Sequence, residues 1–382
     1  MFDRFKVVVP RVGGVHEVPV IPGDGVGPTV IAAGQRVLEA AASEPIEWVR
    51  YPYGADHYLA TGETLPDDAL AELGEYDAIY FGSVGDPRVD PGVLEQGIIL
   101  ALRFGLDQYV NLRPIRLFEG VETPLRDRGP ADIDLVVVRE NTEDFYVGLG
   151  DRVRDSGHTT HHLDRALYDA DIDVSVDTDA EELAYAVGIA SREGCRRILE
   201  YGFERAARNG HETVTVVDKA NVLPDLYGLW RDVAAAVATD YDATLEFAYA
   251  DAAAMDLVRD PARFETVVTP NLFGDILTDL GAMLQGGLGL CPGANLDPTG
   301  TGLFEPMHGS APDIAGEGVA NPTATIWAGA MLLEHLGDHD GAQRVMTGLE
   351  ATLAAGTPRT PDLGGSATTA AFTDAVVDAL PE

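Results

Sequence analysis

Short apolar runs recur along the chain at residues 18–21, 78–81, 134–138, 213–217 and 266–269, and each reads as a β-strand. Between them, residues 32–42 and 183–200 space their apolar side chains at helical intervals and predict amphipathic helices. This alternation predicts α/β layers. A longer run, TPNLFGDILTDLGAMLQGGLGL at 269–290, is almost wholly apolar or glycine yet holds Asp275 and Asp279 four residues apart. On a helix these carboxylates share one face, one turn apart, and repel unless a cation lies between them or water screens them. By contrast, residues 152–179 are polar and poor in core positions, which predicts an arm rather than part of a layer. His158, His161 and His162 lie in that arm without a cysteine or a helical i,i+4 spacing, so they do not read as a metal site.

Composition changes this picture in one respect. The 382-residue chain carries 63 acidic and 26 basic residues, a formal charge of −37. Nucleic acid and anionic membranes are excluded as partners on that ground. Such a surface is expected to need screening or bound counter-ions, as in the salt-rich cytoplasm of a halophile. Length predicts two domains. Two cysteines, Cys195 and Cys291, are too few for a disulfide framework, and neither a signal peptide nor a membrane-length apolar segment is apparent, so a cytoplasmic protein is expected.

Two local features carry candidate chemistry. Arginine is used freely, but lysine occurs only at Lys6 and Lys219. Lys219 follows the strand-like TVTVV and precedes a helical segment, the place where α/β proteins put active sites. An ammonium, unlike a guanidinium, can lose its proton when desolvated. The second feature, VIPGDGVGP at 20–28, follows a strand and opens a helix, but its Gly23, Gly25 and Gly27 do not match the G-x-G-x-x-G dinucleotide fingerprint.

VIPGDGVGP, FGSVGDP (81–87), QYVNLRPIR (108–116), VVVRENTEDFY (136–146), VDKANVLP (217–224), NLFGDILTDL (271–280) and LFEPMHGSAPDIAGEGVANPTA (303–324) together resemble the β-decarboxylating dehydrogenases. That family includes the isopropylmalate, isocitrate, homoisocitrate, D-malate and tartrate dehydrogenases. The likeness runs from about residue 17 to the end, and residues 1–16 fall outside it. It implies a two-domain α/β isopropylmalate dehydrogenase-like fold that is not a Rossmann fold. The first domain would be discontinuous, 1–108 and 286–382, and would bind the dinucleotide; 109–285 would form the second, with a dimerisation arm near 152–179. A homodimer with shared active sites is implied as well.

The resemblance also implies roles for individual residues. Asp275 and Asp279, with Asp251 from the partner subunit, match the family's ligands for Mg or Mn, whose Lewis acidity lowers the pKa of a substrate hydroxyl. Lys219 matches the base and Tyr146 the residue that helps protonate the enolate left by loss of CO₂. Arg103, Arg113 and Arg139 match the arginines that hold the substrate carboxylates. Glu305, His308, Gly309, Ser310, Ala311, Asp313, Ile314 and Asn321 match the cofactor segment, and Asp313 implies NAD rather than NADP because it would repel a 2′-phosphate. Because the acid–base pair and all metal positions are present, an enzyme is expected rather than a regulatory subunit.

Substrate choice is read from the segment ahead of Arg103. Counting back from Arg113 in the sequence, the positions where isocitrate enzymes carry serine and asparagine hold Gly97 and Ile99, which argues against isocitrate. Where isopropylmalate enzymes carry glutamate and D-malate and tartrate enzymes tryptophan, this chain has Gln96, a departure from both. Gln96, Ile99, Leu100 and Val222 are then expected around the C3 substituent of a small 2-hydroxy acid. LDQYVNLRPIRL and TIWAGAMLLEHL resemble the D-malate and tartrate branch, whereas VDKANVL, with Val222, resembles the isopropylmalate and homoisocitrate branches; D-malate or tartrate is expected, with 3-isopropylmalate as the alternative.

Overall fold

A computed structural model describes residues 14–381. Most of the sequence outside the family likeness, including Lys6, lies outside the described residues. In chain order the model has β1 (His16–Gly23), α1 (Gly27–Ala41), β2 (Ile46–Arg50), α2 (Ala55–Thr61), α3 (Asp67–Leu73), β3 (Ala78–Ser83), α4 (Ala101–Gly105), β4 (Val110–Arg116) and β5 (Asp134–Glu140). Four strands follow, the short β6 (Gly150–Val153), the ten-residue β7 (Ser156–Arg165) and β8 (Tyr168–Asp177), and the short β9 (Leu183–Ala186). Next come α5 (Arg192–Asn209), β10 (Thr213–Asp218), α6 (Pro224–Val237), β11 (Thr244–Tyr249), α7 (Ala250–Arg259), β12 (Thr266–Thr269) and α8 (Asn271–Leu284). The chain ends with β13 (Pro292–Leu296), β14 (Gly302–Pro306), α9 (Thr323–His335), α10 (His339–Ala355) and α11 (Thr369–Asp378). None of the described helices is long and apolar enough to cross a membrane.

Contacts divide the chain into two compact units, one running through Leu135 and resuming at Thr278, the other spanning Val136–Leu277. The boundaries fall inside β5 and α8.

In the first unit the strands lie in the order β4-β13-β14-β3-β1-β2. β14, β3, β1 and β2 are parallel neighbours, and β13 runs antiparallel to both β4 and β14. Parallel strands covered on both faces read as continuous apolar runs, and β3 is buried at every position. On one side of this sheet Ile21, Phe81, Leu94, Ile98 and Leu102 form a core, each side chain contributing about 1.5–3 kcal/mol by leaving water.

In the second unit β11, β10, β12 and β5 are parallel in that order. The polar segment at 152–179 forms a hairpin, β7 and β8, with Arg165 opposite Tyr168 and only Leu163 fully buried on it. Its histidines bond to different neighbours: His158 to Ser175, His161 to Tyr185 and His162 to Asp171.

The expected helix at 183–200 is corrected. Leu183–Ala186 is a strand paired with β6, and the helix starts only at Arg192, where the Ser191 side chain caps it by accepting from Gly194 N. A ladder partner 36 residues earlier, Gly150 opposite Ala186, overrides the local periodicity.

Candidate active site

Parallel sheets place ligands beyond the carboxyl ends of their strands. In the second unit those ends carry Asp251 after β11, Lys219 after β10, Asn271 after β12, and Arg139 at the end of β5. Lys219 Nζ donates to Asp251 Oδ1 at 2.5 Å, and this bond holds the Asp251 carboxyl below its usual range. The turn bearing Lys219 is fixed by its neighbour: buried Asp218 accepts from Arg231 through both oxygens, at 2.7 and 3.0 Å. Val222 is exposed on the same turn.

Arg139 is 1% exposed. Its Nε donates to Asn271 Oδ1 at 2.9 Å and its Nη1 to Asp275 Oδ1, while the Tyr146 hydroxyl donates to Asp275 Oδ2 at 2.8 Å. One carboxylate thus joins a cation and a phenol. Gly274 allows this, because a Cβ there would stand 2.5 Å from Arg139 Cγ. The loop delivering Tyr146 is pinned by buried carboxylates. Asp144 accepts from the Tyr227 hydroxyl and Leu272 N, and Glu140 accepts from Thr142 and Glu143 N. Burial, reinforced by Glu143, pushes Glu140 up to about 7.

In the first unit Arg113, 3% exposed, donates to Asn111 Oδ1 at 2.8 Å and Thr278 Oγ1 at 2.9 Å, and lies 3.8 Å from Asp279. Asp279 is largely open to solvent, with its side chain 67% exposed. Arg103 is buried on α4. Ahead of it, Glu95–Leu100 winds as a π-helix. A π-turn holds one extra residue, so the side chains ahead of it face differently from those of a regular α-helix. Ile99 packs against the core while Leu100 is half-buried. Gln96 Nε2 lies 3.3 Å from a Cβ built on Gly92, whereas Glu95 Oε1 lies 3.6 Å from one built on Gly85, beside the Ser310 hydroxyl.

The glycine loop after β1 is explained by close backbone approach. Gly25, at φ +60°, would bring a Cβ to 1.8 Å from Ser310 O, and Val26 N donates to that same oxygen at 2.8 Å. Asp24 ties three loops together, accepting from Ala55 N at 2.8 Å and Gly85 N at 3.0 Å while its own N–H donates to Ser83 O. Ala311 and Ile314 pack on Val26 and Val30 at the start of α1. Asp313 is exposed beside them, and Gly309 and Ala311 have positive φ. His308 Nδ1 bonds to Gly309 O, and burial lowers its pKa. Asn321 bridges Asp362 and Thr323 N, and Glu305 is buried on β14 against Asn295.

Among the described residues of one chain, no three His, Cys, Asp or Glu side chains gather where they could hold one ion. The sequence reading missed Asp24, Asn111, Asn271, Thr278 and Asn295. They act through partners distant in sequence, for which a single chain gives no local signal.

The family model described as isocitrate/isopropylmalate dehydrogenase matches residues 17–379. The chain belongs to this family, and it is a β-decarboxylating dehydrogenase. Among its relatives, a 3-isopropylmalate dehydrogenase of Corynebacterium glutamicum (strain R) is 45% identical over 339 residues, covering 88% of this chain and 92% of that one. The 3-isopropylmalate dehydrogenase of Mycobacterium tuberculosis (strain CDC 1551 / Oshkosh) is 45% identical over 338 residues, 88% and 93% of the two chains. Among solved structures, isocitrate dehydrogenase from Methylococcus capsulatus superposes with a TM-score of 0.82 at 37% identity, covering 95% of this chain and 98% of that one.

Proposed function

We propose that the protein oxidatively decarboxylates 3-isopropylmalate, using NAD and a divalent metal, as a homodimer. The preference for D-malate or tartrate finds no support among the relatives, and the alternative takes its place. The observation that carries this reading is the likeness to relatives named 3-isopropylmalate dehydrogenase, 44–45% identical over 85–90% of this chain. Glu95, next to Gln96 at the start of the π-turn, is the acidic side chain this reading assigns to the substrate pocket. Ile99, Leu100 and Val222 supply an aliphatic surround, and each CH₂ buried there favours an isopropyl group by about 0.8 kcal/mol.

Asp275 and Asp279, on successive turns of α8, offer only hard oxygen donors, which suits Mg or Mn. Both side chains are open enough to be reached, at 42% and 67% exposure. Asp251 of the partner subunit would complete the set. A metal held there would supply Lewis acidity to the substrate hydroxyl, and NAD, when bound, would supply the hydride acceptor. Arg103, Arg113 and Arg139 hold the two carboxylates. Lys219 of the partner subunit takes the hydroxyl proton, and Tyr146 delivers a proton to the enolate carbon once the C3 carboxylate has left as CO₂. Asp313 takes the adenosine ribose diol, and the segments at 23–27 and 308–311, packed against each other through Val26 N and Ser310 O, border the dinucleotide.

Dimerisation is supported by apolar side chains left in water. Met255 and Val258 on α7 and Ile276 on α8 are 66%, 47% and 59% exposed. The hairpin of β7 and β8 needs cover too, because a two-stranded ribbon is marginal alone.

The test is stoichiometry. Purified protein given 3-isopropylmalate, NAD and Mn²⁺ should release one CO₂ per NADH formed, with NAD preferred over NADP by at least about tenfold, or 1.4 kcal/mol. NADH formation without CO₂, or no turnover of the isolated protein, refutes the reading.

A further inference from the structure

Four side chains on one face of the first unit's sheet form a single hydrogen-bonded line. Arg113 and Asn111 are two residues apart on β4 and so point the same way. Asn295 on β13 stands directly opposite Asn111, and Glu305 on β14, opposite Gly293, is its diagonal neighbour. Arg113 Nε donates to Asn111 Oδ1 at 2.8 Å, Asn111 Nδ2 to Asn295 Oδ1 at 2.8 Å, and Asn295 Nδ2 to Glu305 Oε1 at 2.6 Å. None of the four is more than 5% exposed.

The two ends dictate the direction of the line. A guanidinium can only donate and an ionised carboxylate only accept, so Asn111 must turn its oxygen to Arg113 and Asn295 its amide nitrogen to Glu305. The remaining nitrogen and oxygen then meet with matching polarity. Every bond runs from cation to anion, and in a low-dielectric interior such aligned bonds polarise and order one another.

Resting on the assignment above of Arg113 to the substrate and Glu305 to the cofactor, we propose that Asn111 and Asn295 are positioning residues that couple hydroxy-acid binding to dinucleotide binding. A carboxylate that orders Arg113 orders Glu305 through the two amides, so the dinucleotide then meets a group already fixed and loses less entropy on binding. The coupling is reciprocal by linkage.

The experiment is a fluorescence titration of NADH into the full-length protein, with and without saturating 3-isopropylmalate. D-malate is run in parallel, and a thermal melt is recorded for each variant. Wild type should bind NADH at least about fivefold more tightly when the acid is present. Asn111→Asp keeps an acceptor for Arg113 but loses the donor to Asn295, and Asn295→Leu removes both inner links. Each should bring the ratio to within about twofold of one while its melt remains cooperative. A merely structural role would lower the melting temperature and leave the ratio intact. Coupling seen with D-malate but not 3-isopropylmalate overturns the substrate reading and leaves the inference standing. Absence of coupling with both acids, an unchanged ratio in both folded variants, or undiminished acid binding by Arg113→Gln overturns the inference.

Discussion

The carboxyl ends of the two parallel strand sets are furnished in opposite ways. In the first unit the loops after β1 and β3 and the segment after β14 are built from glycine and backbone, with Gly25 against Ser310 O and Asp24 pinning neighbouring N–H groups. In the second unit the corresponding ends carry side-chain charge in pairs: Lys219 with Asp251, Arg139 with Asp275, and Arg231 with Asp218. Close backbone approach makes a surface on which a long, flat ligand can lie. Paired charges whose partners can be exchanged make a place where protons move and carboxylates are held. On this account the first set binds and the second reacts.

The largest effect should come from breaking the reactive set. Lys219→Ala or Tyr146→Phe should each cost about 10²–10⁴ in kcat while leaving NADH affinity within about threefold of wild type. A loss confined to KM would erase the contrast between the two strand ends.

Breaking the backbone-built set should instead cost stability. Gly25→Ala forces a side chain into a left-handed position with no room beyond it and should destabilise the fold by about 2–4 kcal/mol, read by urea unfolding. Gly316→Ala, at φ +81° with open space around it, is the control and should cost only about 1 kcal/mol. Equal losses would show that close approach to Ser310 is not what requires glycine at 25.

A smaller effect sharpens the substrate assignment. Glu95→Gln should change the ratio of kcat/KM for 3-isopropylmalate over D-malate by about 1–3 kcal/mol, whereas Gln96→Leu should leave it nearly unchanged. The reverse outcome would give the specificity role to Gln96.

The smallest is a pH effect at the loop that delivers Tyr146. Glu140 is raised from 4.5 to about 7 in the folded state, so between those values the native protein holds more protons than the unfolded chain. Stability from this group therefore falls as pH rises from about 4.5 to 7 and stays lower above it. Glu140→Gln has no such slope, so its melting temperature relative to wild type should improve between pH 5 and 8. A difference that is flat, or that worsens with pH, would contradict the burial argument.

Much of this was legible in the chain itself. The runs at 18–21, 78–81, 134–138, 213–217 and 266–269 all lie within strands, because parallel strands buried on both faces need uninterrupted apolar sequence. Asp275 and Asp279 stood out because an apolar helix has no local use for them. Three things were illegible. The segment at 183–186 takes its structure from β6 and not from its own periodicity. The π-turn at Glu95–Leu100 changes which side chains share a face without changing composition. The pairing of Asn111 with Asn295 joins residues 184 apart, which no spacing rule within one chain can reveal.

Substrate choice is the central claim, and the most direct measurement is kcat/KM of the wild-type protein for 3-isopropylmalate and for D-malate at fixed NAD, Mn²⁺ and salt. The account predicts a ratio above about ten in favour of 3-isopropylmalate, a difference of at least 1.4 kcal/mol in transition-state stabilisation. A ratio at or below one would contradict it and return the assignment to D-malate.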